Sequence, residues 1–474
     1  KSIKLLIDFL KNIFDEDICN QAAKICFKYK LIKDFNKLTK IVNLTNNIFN
    51  KEKKYLFFIE AQFHEVEQKF NAAKKSYKNS ILCDTFYFDA YINLINLYES
   101  TNDILNLKLL IESAYKNFKD KEQKNILNFF NTLRLNRENN FKESANFILS
   151  SNLDDAFKNN KYYQIRLLNL KSKNNEKLKK YNDAFDNIEK RNSILLNLRE
   201  NKKYNKRNVL DTIEKYKNFF IKKNLNKIII NNNYSNDKNL IFLVGFPRSG
   251  TTLLDTILRS HSKIKVLEEK PILLNLRHEF FKKNNNNLSN LLKITESEKN
   301  YIRQNYLKKI ILNKNDEKKI IIDKLPLSII ELGFIKIIFP NAKIILAMRH
   351  PCDVITSCFF TSFKINDSMI NFLKIDDTID FYNSVFNLFE IYEKELKFEY
   401  TIAKYENIVN NFKYEITGLL KFLGLEYEEK LEQFHLTALN RSRISTPSYN
   451  QVINPLYQTS VGKWKNYESI YKNK

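Results

Sequence analysis

The residues from Leu240 to Leu254 combine an apolar strand, a short loop between two glycines and the start of a helix. The loop runs from Gly245 to Gly250. Its polar side chains, together with those that follow it directly, are Arg248, Ser249, Thr251 and Thr252. Consecutive backbone N–H groups in such a loop, together with the positive end of the next helix, form a fixed anion site. The segment therefore predicts a phosphate-binding site.

The same loop departs from that of nucleotide hydrolases at one position. The spacing from Gly245 to Gly250 matches the first half of the G-x-x-x-x-G-K-[ST] pattern, but Thr251 stands where those enzymes carry lysine. Magnesium-dependent ATP hydrolysis is therefore disfavoured, and the loop suits a phosphate whose neighbouring group is transferred. A P-loop kinase acting on a small molecule, which would require ATP and magnesium, is the first alternative.

Polar side chains also follow the ends of later strands. From Leu240 onward, short apolar runs alternate with amphipathic helices, which predicts a parallel α/β sheet. The predicted strands are residues 240–244, 264–267, 320–323, 344–348 and 398–402. The polar residues at the ends of the second, third and fourth are Glu268, Glu269, Asp323, Lys324, Arg349 and His350. Ligands bind beyond the carboxyl ends of parallel strands, so we expect these residues to share one group-transfer site.

Four segments occur in a fixed order along this half of the chain. They are Gly-Phe-Pro-Arg-Ser-Gly-Thr-Thr-Leu-Leu, then Glu-Glu, then Asp-Lys-Leu-Pro, then Phe-Pro-Asn-Ala-Lys-Ile-Ile-Leu-Ala-Met-Arg-His-Pro-Cys-Asp-Val-Ile-Thr-Ser. This pattern resembles the sulfotransferases that use 3'-phosphoadenosine-5'-phosphosulfate (PAPS). Within that family the chain is most similar to the tetratricopeptide-repeat and tyrosylprotein branches, from about Leu240 to the C-terminus. The resemblance implies transfer of a sulfuryl group from PAPS to a hydroxyl of a peptide tyrosine, a saccharide or a small molecule.

The resemblance also assigns roles to individual residues. The loop from Arg248 to Thr252, which includes Gly250, would bind the 5'-phosphosulfate of PAPS. The other nucleotide-binding residues that it implies are Arg349, Ser357, Tyr405, Ser460 and Lys463, of which Arg349 and Ser357 would bind the 3'-phosphate. Glu269 would be the general base, while Lys324 and Arg248 would stabilise the transferring group and the departing phosphate. No metal ion is implied.

Alternatives to some of these roles stay open. Of two adjacent carboxylates after a strand, one usually faces away from the site, and the offset from the loop selects Glu269 over Glu268. His350 is a rival base, although its position at a helix start favours capping. The tyrosylprotein branch places a serine directly before a Lys-Trp pair, where this chain has Gly462. Ser460 is the candidate replacement.

The first 244 residues contain neither glycine nor proline, because all six glycines and seven prolines lie at or after Gly245. Strands and hairpins need these residues at their turns, so the segment is predicted to be helical. Buried-type residues such as Tyr77 and Ile111 recur 34 positions apart, which is the tetratricopeptide period. We predict a tetratricopeptide-like repeat domain at residues 1–204 and a sulfotransferase domain at residues 205–474. An irregular helical bundle is the alternative for the first domain.

Composition limits the expected partners. The net charge of +25 comes from lysines spread along the whole chain, so we expect no nucleic-acid interface. The five cysteines lack C-x-x-C spacing and are expected to be reduced. No apolar run reaches the roughly 20 residues of a membrane span, and we expect a cytoplasmic protein. A trimmed leader stays open, because the chain begins with Lys1.

The expected partner is the acceptor, a peptide or glycan engaged by the helical repeats, and a homodimer is left open. A repeat scaffold whose second domain is catalytically inactive is the other alternative function.

Overall fold

A computed structural model describes residues 2–12, 16–44, 53–222, 239–285, 287–439 and 455–471. The chain divides into two compact units, Lys1–Asn187 and Ile188–Lys474. Residues 440–454, which precede the predicted nucleotide-binding residues Ser460 and Lys463, lie outside the described residues.

Every described element of the first unit is an α-helix. The helices are α1 Ser2–Asn12, α2 Glu16–Lys28, α3 Ile32–Leu44, α4 Lys54–Val66, α5 Phe70–Cys83, α6 Phe88–Ser100, α7 Ile104–Asn117, α8 Lys121–Arg137, α9 Phe141–Ser150, α10 Leu153–Ala156, α11 Lys161–Lys177 and α12 Tyr181–Asn197. The prediction of an all-helical N-terminal region is confirmed.

The predicted 34-residue period is visible in the helix boundaries. Helices α4 and α6 begin at Lys54 and Phe88, and α5 and α7 begin at Phe70 and Ile104, so both pairs are offset by 34 residues. The next pair, α8 and α9, departs from this period, since its helices begin at Lys121 and Phe141, 33 and 37 residues after α6 and α7. Equivalent positions bury equivalent side chains, since Tyr77 and Ile111 are 0% and 2% exposed. Stacked helix pairs of this kind bury one continuous core between neighbours.

The division between the units falls inside α12, whereas the sequence predicts a boundary between residues 204 and 205. The C-terminal half of α12 carries Arg191, which is 0% exposed. Its guanidinium donates to the carbonyl oxygens of Phe359 and Phe360 in the second unit. A buried guanidinium needs such acceptors, and this explains why residues 188–204 pack with the second unit.

The second unit contains a five-stranded parallel sheet in its described residues. Its strands are β1 Leu240–Gly245, β2 Ile264–Glu268, β3 Ile320–Lys324, β4 Lys343–Met348 and β5 Tyr400–Lys404. Its further α-helices are α13 Arg207–Lys222, α14 Thr251–Arg259, α15 Ile272–Lys283, α16 Glu296–Ile310, α17 Lys314–Glu317, α18 Leu332–Ile338, α19 Pro351–Phe360, α20 Ile375–Leu396, α21 Tyr405–Asn410, α22 Phe412–Leu423, α23 Phe434–Leu439 and α24 Glu468–Tyr471. Short 3-10 helices span Arg199–Asn201, Leu288–Lys293, Pro326–Glu331, Met369–Leu373, Glu429–Leu431 and Lys463–Tyr467.

The strand order β2-β3-β1-β4-β5 places β1 at the centre of the sheet. All six residues of β1 are buried. On one face, Leu243 packs in a core with Ile257 of α14 and Leu420 of α22. On the other, the Phe242 ring lies 6.0 Å from that of Phe339. Helices therefore cover both faces, and the carboxyl ends of all five strands lie at one edge, confirming the predicted α/β class.

The predicted strands β1 to β4 agree with the structure to within one residue at each end. The last one begins two residues later than predicted, at Tyr400. Lys397, at the end of α20, has a left-handed backbone with φ 46°, so the chain is still turning there. All five cysteines are free thiols. Among the described helices, none has both the length and the apolarity that crossing a membrane requires.

Candidate active site

The loop between β1 and α14 is shaped by two close approaches that only glycine permits. A Cβ added at Gly245 would lie 2.6 Å from the carbonyl oxygen of Ala347 on β4. Gly250 has φ +101°, and a Cβ there would lie 3.0 Å from the ring of Tyr405. Arg248 is also left-handed, with φ 71°. These turns wrap the backbone tightly in front of the first turn of α14.

The hydroxyl groups of this loop are turned inward. Ser249, Thr251 and Thr252 are 2%, 4% and 7% exposed. The buried Ser249 Oγ has no hydrogen-bond partner among the described residues. A buried hydroxyl without a partner at the start of a helix can donate a hydrogen bond to a bound anion.

On the β3 side of the loop, Lys324 is surrounded by three carboxylates. Its Nζ lies 2.9 Å from Glu269 Oε1, 3.7 Å from Glu268 Oε1 and 3.7 Å from Asp255 Oδ2. We call these four residues the Lys324 cluster. The lysine and Asp255 side chains are both 0% exposed. A lysine this deeply buried needs counter-charges, and the cluster supplies more of them than one ammonium requires.

Glu269 is the member of the Lys324 cluster that reaches solvent. Its side chain is 35% exposed, while that of Glu268 is 12% exposed. Its backbone N–H extends the sheet by donating to the Lys324 carbonyl oxygen at 2.8 Å. Its φ of 48° is unusual for a glutamate, and such strain is concentrated at functional sites. The expectation that Glu268 faces away is wrong, since both carboxylates approach the same lysine from the end of β2.

On the β4 side of the loop, two arginines lie together. Arg349 donates to the Arg248 carbonyl oxygen at 3.3 Å, and Arg248 Nε donates to Ser357 Oγ at 2.9 Å. The Arg349 guanidinium also lies 4.8 Å from the centre of the Tyr405 ring and bonds to the Ser460 carbonyl oxygen. We call Arg248, Arg349, Ser357, Tyr405 and Ser460 the Arg349 cluster. The structure joins Ser357 to Arg248, and through Arg248 to Arg349.

The described C-terminal segment, residues 455–471, is held on the first turn of α19. The buried carboxylate of Asp353 accepts from the backbone N–H groups of Gly462 and Trp464, both at 2.8 Å. His350 precedes α19 and makes no capping bond with its side chain. Its ring is instead stacked on Trp464, with centroids 5.0 Å apart. Lys463 lies between the two anchored positions and is half-buried.

The Arg349 cluster carries excess positive charge. Two guanidiniums lie together here, and among the described residues the carboxylate within 4 Å of Arg349 is that of Asp353, at 3.8 Å. Burial lowers the pKa of Arg248, and the neighbouring Arg349 contributes to this shift. Arg349 Nε has no hydrogen-bond partner among the described residues. A bound anion would relieve both the charge excess and the unbonded donor, so the side chains here fit a phosphate.

A further buried carboxylate lies one residue before Lys324. Asp323 Oδ2 accepts from the Tyr306 hydroxyl of α16 at 2.5 Å, and its Oδ1 has no partner among the described residues. Burial raises the pKa of Asp323 to about 6, although the tyrosine bond opposes the shift. Successive residues of a strand point to opposite faces, so Asp323 and Lys324 project to opposite sides of the sheet.

Sequence reasoning overlooked two acidic residues of the site. Asp255 follows Thr251 by four residues on α14, and Asp353 follows Arg349 by four residues into α19. Residues four apart lie on the same face of a helix, so this spacing was the available signal. It was weak, because acidic residues at such positions are common on solvated helix faces.

The comparisons with known proteins agree with this geometry. Residues 240–429 match the model of the sulfotransferase family. An uncharacterized protein of Aquifex aeolicus (strain VF5) is 28% identical over 239 residues, or 49% of this chain and 31% of that protein. Protein-tyrosine sulfotransferase A of Caenorhabditis elegans is 26% identical over 244 residues, or 49% of this chain and 62% of that protein.

The chain thus spans less than two thirds of the length of either relative. Among solved structures, the sulfotransferase domain from the Synechococcus PCC 7002 olefin synthase aligns with 49% of this chain and 89% of its own. The sequence identity is 20% and the TM-score is 0.35.

Proposed function

We propose that the protein transfers a sulfuryl group from PAPS to an acceptor hydroxyl. The observation that carries the proposal is the contact between a partly exposed carboxylate, Glu269, and a fully buried ammonium, Lys324, beside an anion-binding loop. A proton acceptor open to solvent and a fixed cation behind it are what transfer from a phosphate oxygen to a hydroxyl requires.

In this proposal the loop from Arg248 to Thr252 binds the 5' end of the donor. Two features support it: the buried Ser249 hydroxyl, which has no partner among the described residues, and the N-terminus of α14, which supplies backbone N–H donors directly after the loop. The Arg349 cluster binds the 3'-phosphate. Its excess positive charge supports this, and so does the unbonded Arg349 Nε. PAPS has anionic groups at both its 3' and its 5' positions, whereas ATP has them only at the 5' position. Two separate anion sites therefore favour PAPS over ATP.

The chemical step follows from the two environments around Lys324. Glu269 takes the proton of the acceptor hydroxyl, and the acceptor oxygen forms a bond to sulfur. The bond between sulfur and the phosphate oxygen breaks, and its electron pair stays on that oxygen. Lys324 and Arg248 donate hydrogen bonds to the developing negative charge. Such preorganised donors lower the barrier because they need no reorientation during the reaction.

The acceptor classes are a peptide tyrosine, a saccharide and a small molecule. The relatives named as protein-tyrosine sulfotransferases favour testing tyrosine first. Ser460 is the candidate for the serine that Gly462 replaces, but its contacts favour a different role. Its carbonyl oxygen accepts from Arg349, and hydrogen bonding with Ser460 partly offsets the rise that burial causes in the pKa of Tyr405 and Tyr457. These contacts support a nucleotide-binding role for Ser460.

The decisive experiment combines two measurements on the full chain. Calorimetry with adenosine 3',5'-bisphosphate, set against ATP with magnesium, tests the donor site. Radiolabelled PAPS with a tyrosine peptide, a polysaccharide and a simple phenol tests transfer. We expect bisphosphate binding and label on at least one acceptor. Bisphosphate binding without transfer to any acceptor favours the inactive scaffold, and preferential ATP binding favours the kinase.

A further inference from the structure

Asp255 carries a carboxylate oxygen that the fold does not use. The side chain is fully buried on α14, one turn after the phosphate loop. Its Oδ1 accepts from Arg259 Nε at 2.8 Å, and the Arg259 NH2 atom lies 2.7 Å from the same oxygen. Its Oδ2 has no hydrogen-bond partner among the described residues and lies 3.7 Å from Lys324 Nζ. A buried anionic oxygen without a donor is costly and calls for an explanation.

A purely structural aspartate in the same unit looks different. Asp316 pairs with Lys265 of β2, and its Oδ2 accepts both from that lysine at 2.6 Å and from the Leu312 backbone at 2.9 Å. In the pair of Asp255 with Arg259, by contrast, the second carboxylate oxygen accepts no hydrogen bond from the described residues, and it lies 3.7 Å from Lys324 Nζ.

We propose that Asp255 is a positioning residue that holds the Lys324 ammonium when Glu269 loses its charge. The inference rests on the proposed sulfuryl transfer. In the structure, Lys324 Nζ is closest to Glu269 Oε1 at 2.9 Å. Once Glu269 has accepted the acceptor proton, it is neutral and no longer attracts the ammonium. Asp255 Oδ2 needs an approach of less than an ångström to replace it, because the present gap is 3.7 Å.

In this exchange only one proton moves. The acceptor proton stays on Glu269, and Lys324 remains charged and donates a hydrogen bond to the leaving phosphate oxygen without giving up its proton. Glu268 is also 3.7 Å from the ammonium, but its side chain is 12% exposed, whereas that of Asp255 is 0% exposed. Charge interactions are stronger where water is absent, so Asp255 is the more effective holder.

The test compares Asp255→Asn with Asp255→Glu. Asparagine keeps the shape and the bond to Arg259 but removes the charge. The charged groups around the ammonium are then Glu268 and Glu269 of the β2 end, with Arg259 on α14. The site then holds one negative charge fewer, which disfavours bound protons. Both limbs of the kcat profile against pH therefore move to lower pH, by about one to three units.

We expect the kcat of Asp255→Asn at pH 8 to fall at least tenfold, with the KM for PAPS within threefold of the parent. Asp255→Glu restores the limbs toward the parent positions. A second readout needs no turnover: bisphosphate binding by Asp255→Asn weakens more steeply with rising pH than binding by the parent. Asp316→Asn is the matched control, because it removes a buried ion pair of β2 without altering either pH profile.

Unshifted limbs in a folded, active Asp255→Asn protein would overturn the inference and leave the proposed function intact. Absence of transfer by the parent chain would instead defeat the proposed function, and the binding profile then decides the role of Asp255 alone. If Asp255→Asn does not fold, the limbs of Asp255→Glu decide. Limbs at the parent positions support the role, because that variant keeps the charge, and limbs moved as expected for asparagine overturn it.

Discussion

The Lys324 cluster and the Arg349 cluster lie on opposite sides of one loop, since β3 and β4 flank β1. The first holds a single ammonium among three carboxylates. The second holds two guanidiniums among carbonyl oxygens, hydroxyls and an aromatic ring, with one carboxylate 3.8 Å away. A carboxylate can accept a proton, whereas guanidiniums, backbone carbonyls and aromatic rings do not serve as bases in this way. The difference teaches that groups suited to proton transfer and groups suited to anion binding can be placed in separate clusters of side chains around one phosphate loop.

If the two clusters divide the work in this way, substitution of Glu269 in the first should change kcat and substitution of Arg349 in the second should change donor affinity. The largest expected effect is that of Glu269→Gln, which keeps the side-chain shape and removes the proposed base. We expect kcat to fall by about 10²- to 10⁴-fold with bisphosphate binding nearly unchanged, as measured by label transfer and calorimetry. Glu268→Gln is the matched control and should cost far less. Equal losses in both variants would contradict the selection of Glu269.

Arg349→Ala should have the opposite signature. It removes the charge-assisted contact that we propose with the 3'-phosphate, so bisphosphate affinity should fall by about 10- to 100-fold. With saturating PAPS, kcat should stay within about threefold of the parent, because the Lys324 cluster is untouched. A large drop in kcat at unchanged affinity would break the comparison between the clusters.

Gly250→Ala tests the loop that both clusters share. A Cβ at φ +101° costs about 1–2 kcal/mol of folding free energy, and it also lies 3.0 Å from Tyr405. We expect a lower melting temperature and weaker bisphosphate binding. Gly424→Ala is the matched control, since Gly424 has φ +72° and nothing within 4 Å. It should lose stability and keep its affinity, and a similar loss of binding there would show that strain alone weakens the site.

Asp323→Asn tests whether Asp323 acts independently of the Lys324 cluster. Asp323 is a sequence neighbour of Lys324 but lies on the other face of the sheet. Burial raises the pKa of Asp323 to about 6 from an ordinary 3.8. The folded state thus binds this proton more tightly than the unfolded state, and the contribution of Asp323 to stability declines as pH rises from about 4 to about 6.

Asparagine removes that penalty and can still accept the Tyr306 hydroxyl bond. Urea unfolding should show Asp323→Asn more stable than the parent by up to about 3 kcal/mol at pH 8, with little difference at pH 4. Its kcat should be unchanged.

Glu428→Gln should instead lower the free energy of unfolding at pH 8. Although burial raises the pKa of Glu428, hydrogen bonds from Ser262 and Lys430 hold that pKa at about 2. A stabilised Glu428 variant at pH 8 would therefore contradict this reasoning about charge.

Much of the fold was predictable because it rests on local rules. The absence of glycine and proline before Gly245 indicated helices, and alternating apolar runs located four strands to within a residue. β5 was placed less well, since it lies at the sheet edge and its Ile402 is 41% exposed. Burial no longer distinguishes the two faces of such a strand, so the pattern does not fix its start.

The site residues at strand ends were predictable from the sequence. The contacts between side chains that are distant in the sequence were not. Glu269, Lys324 and Arg349 follow directly from the parallel-sheet rule. The approach of Asp255 to Lys324, and the contact of Ser357 with Arg248, join residues 69 and 109 positions apart. No local pattern specifies which of several nearby side chains such a residue contacts.

Glu269 holds its side chain on a left-handed backbone, with φ 48°. Glycine or asparagine would occupy this geometry with less strain, by about 1–3 kcal/mol. If Glu269 is the base that we propose, a copy of the gene under selection for folding alone is expected to replace it by glycine or asparagine. The resulting protein would be more stable and would lack the proposed activity, so a glutamate retained at position 269 in related sequences would indicate that the activity is retained.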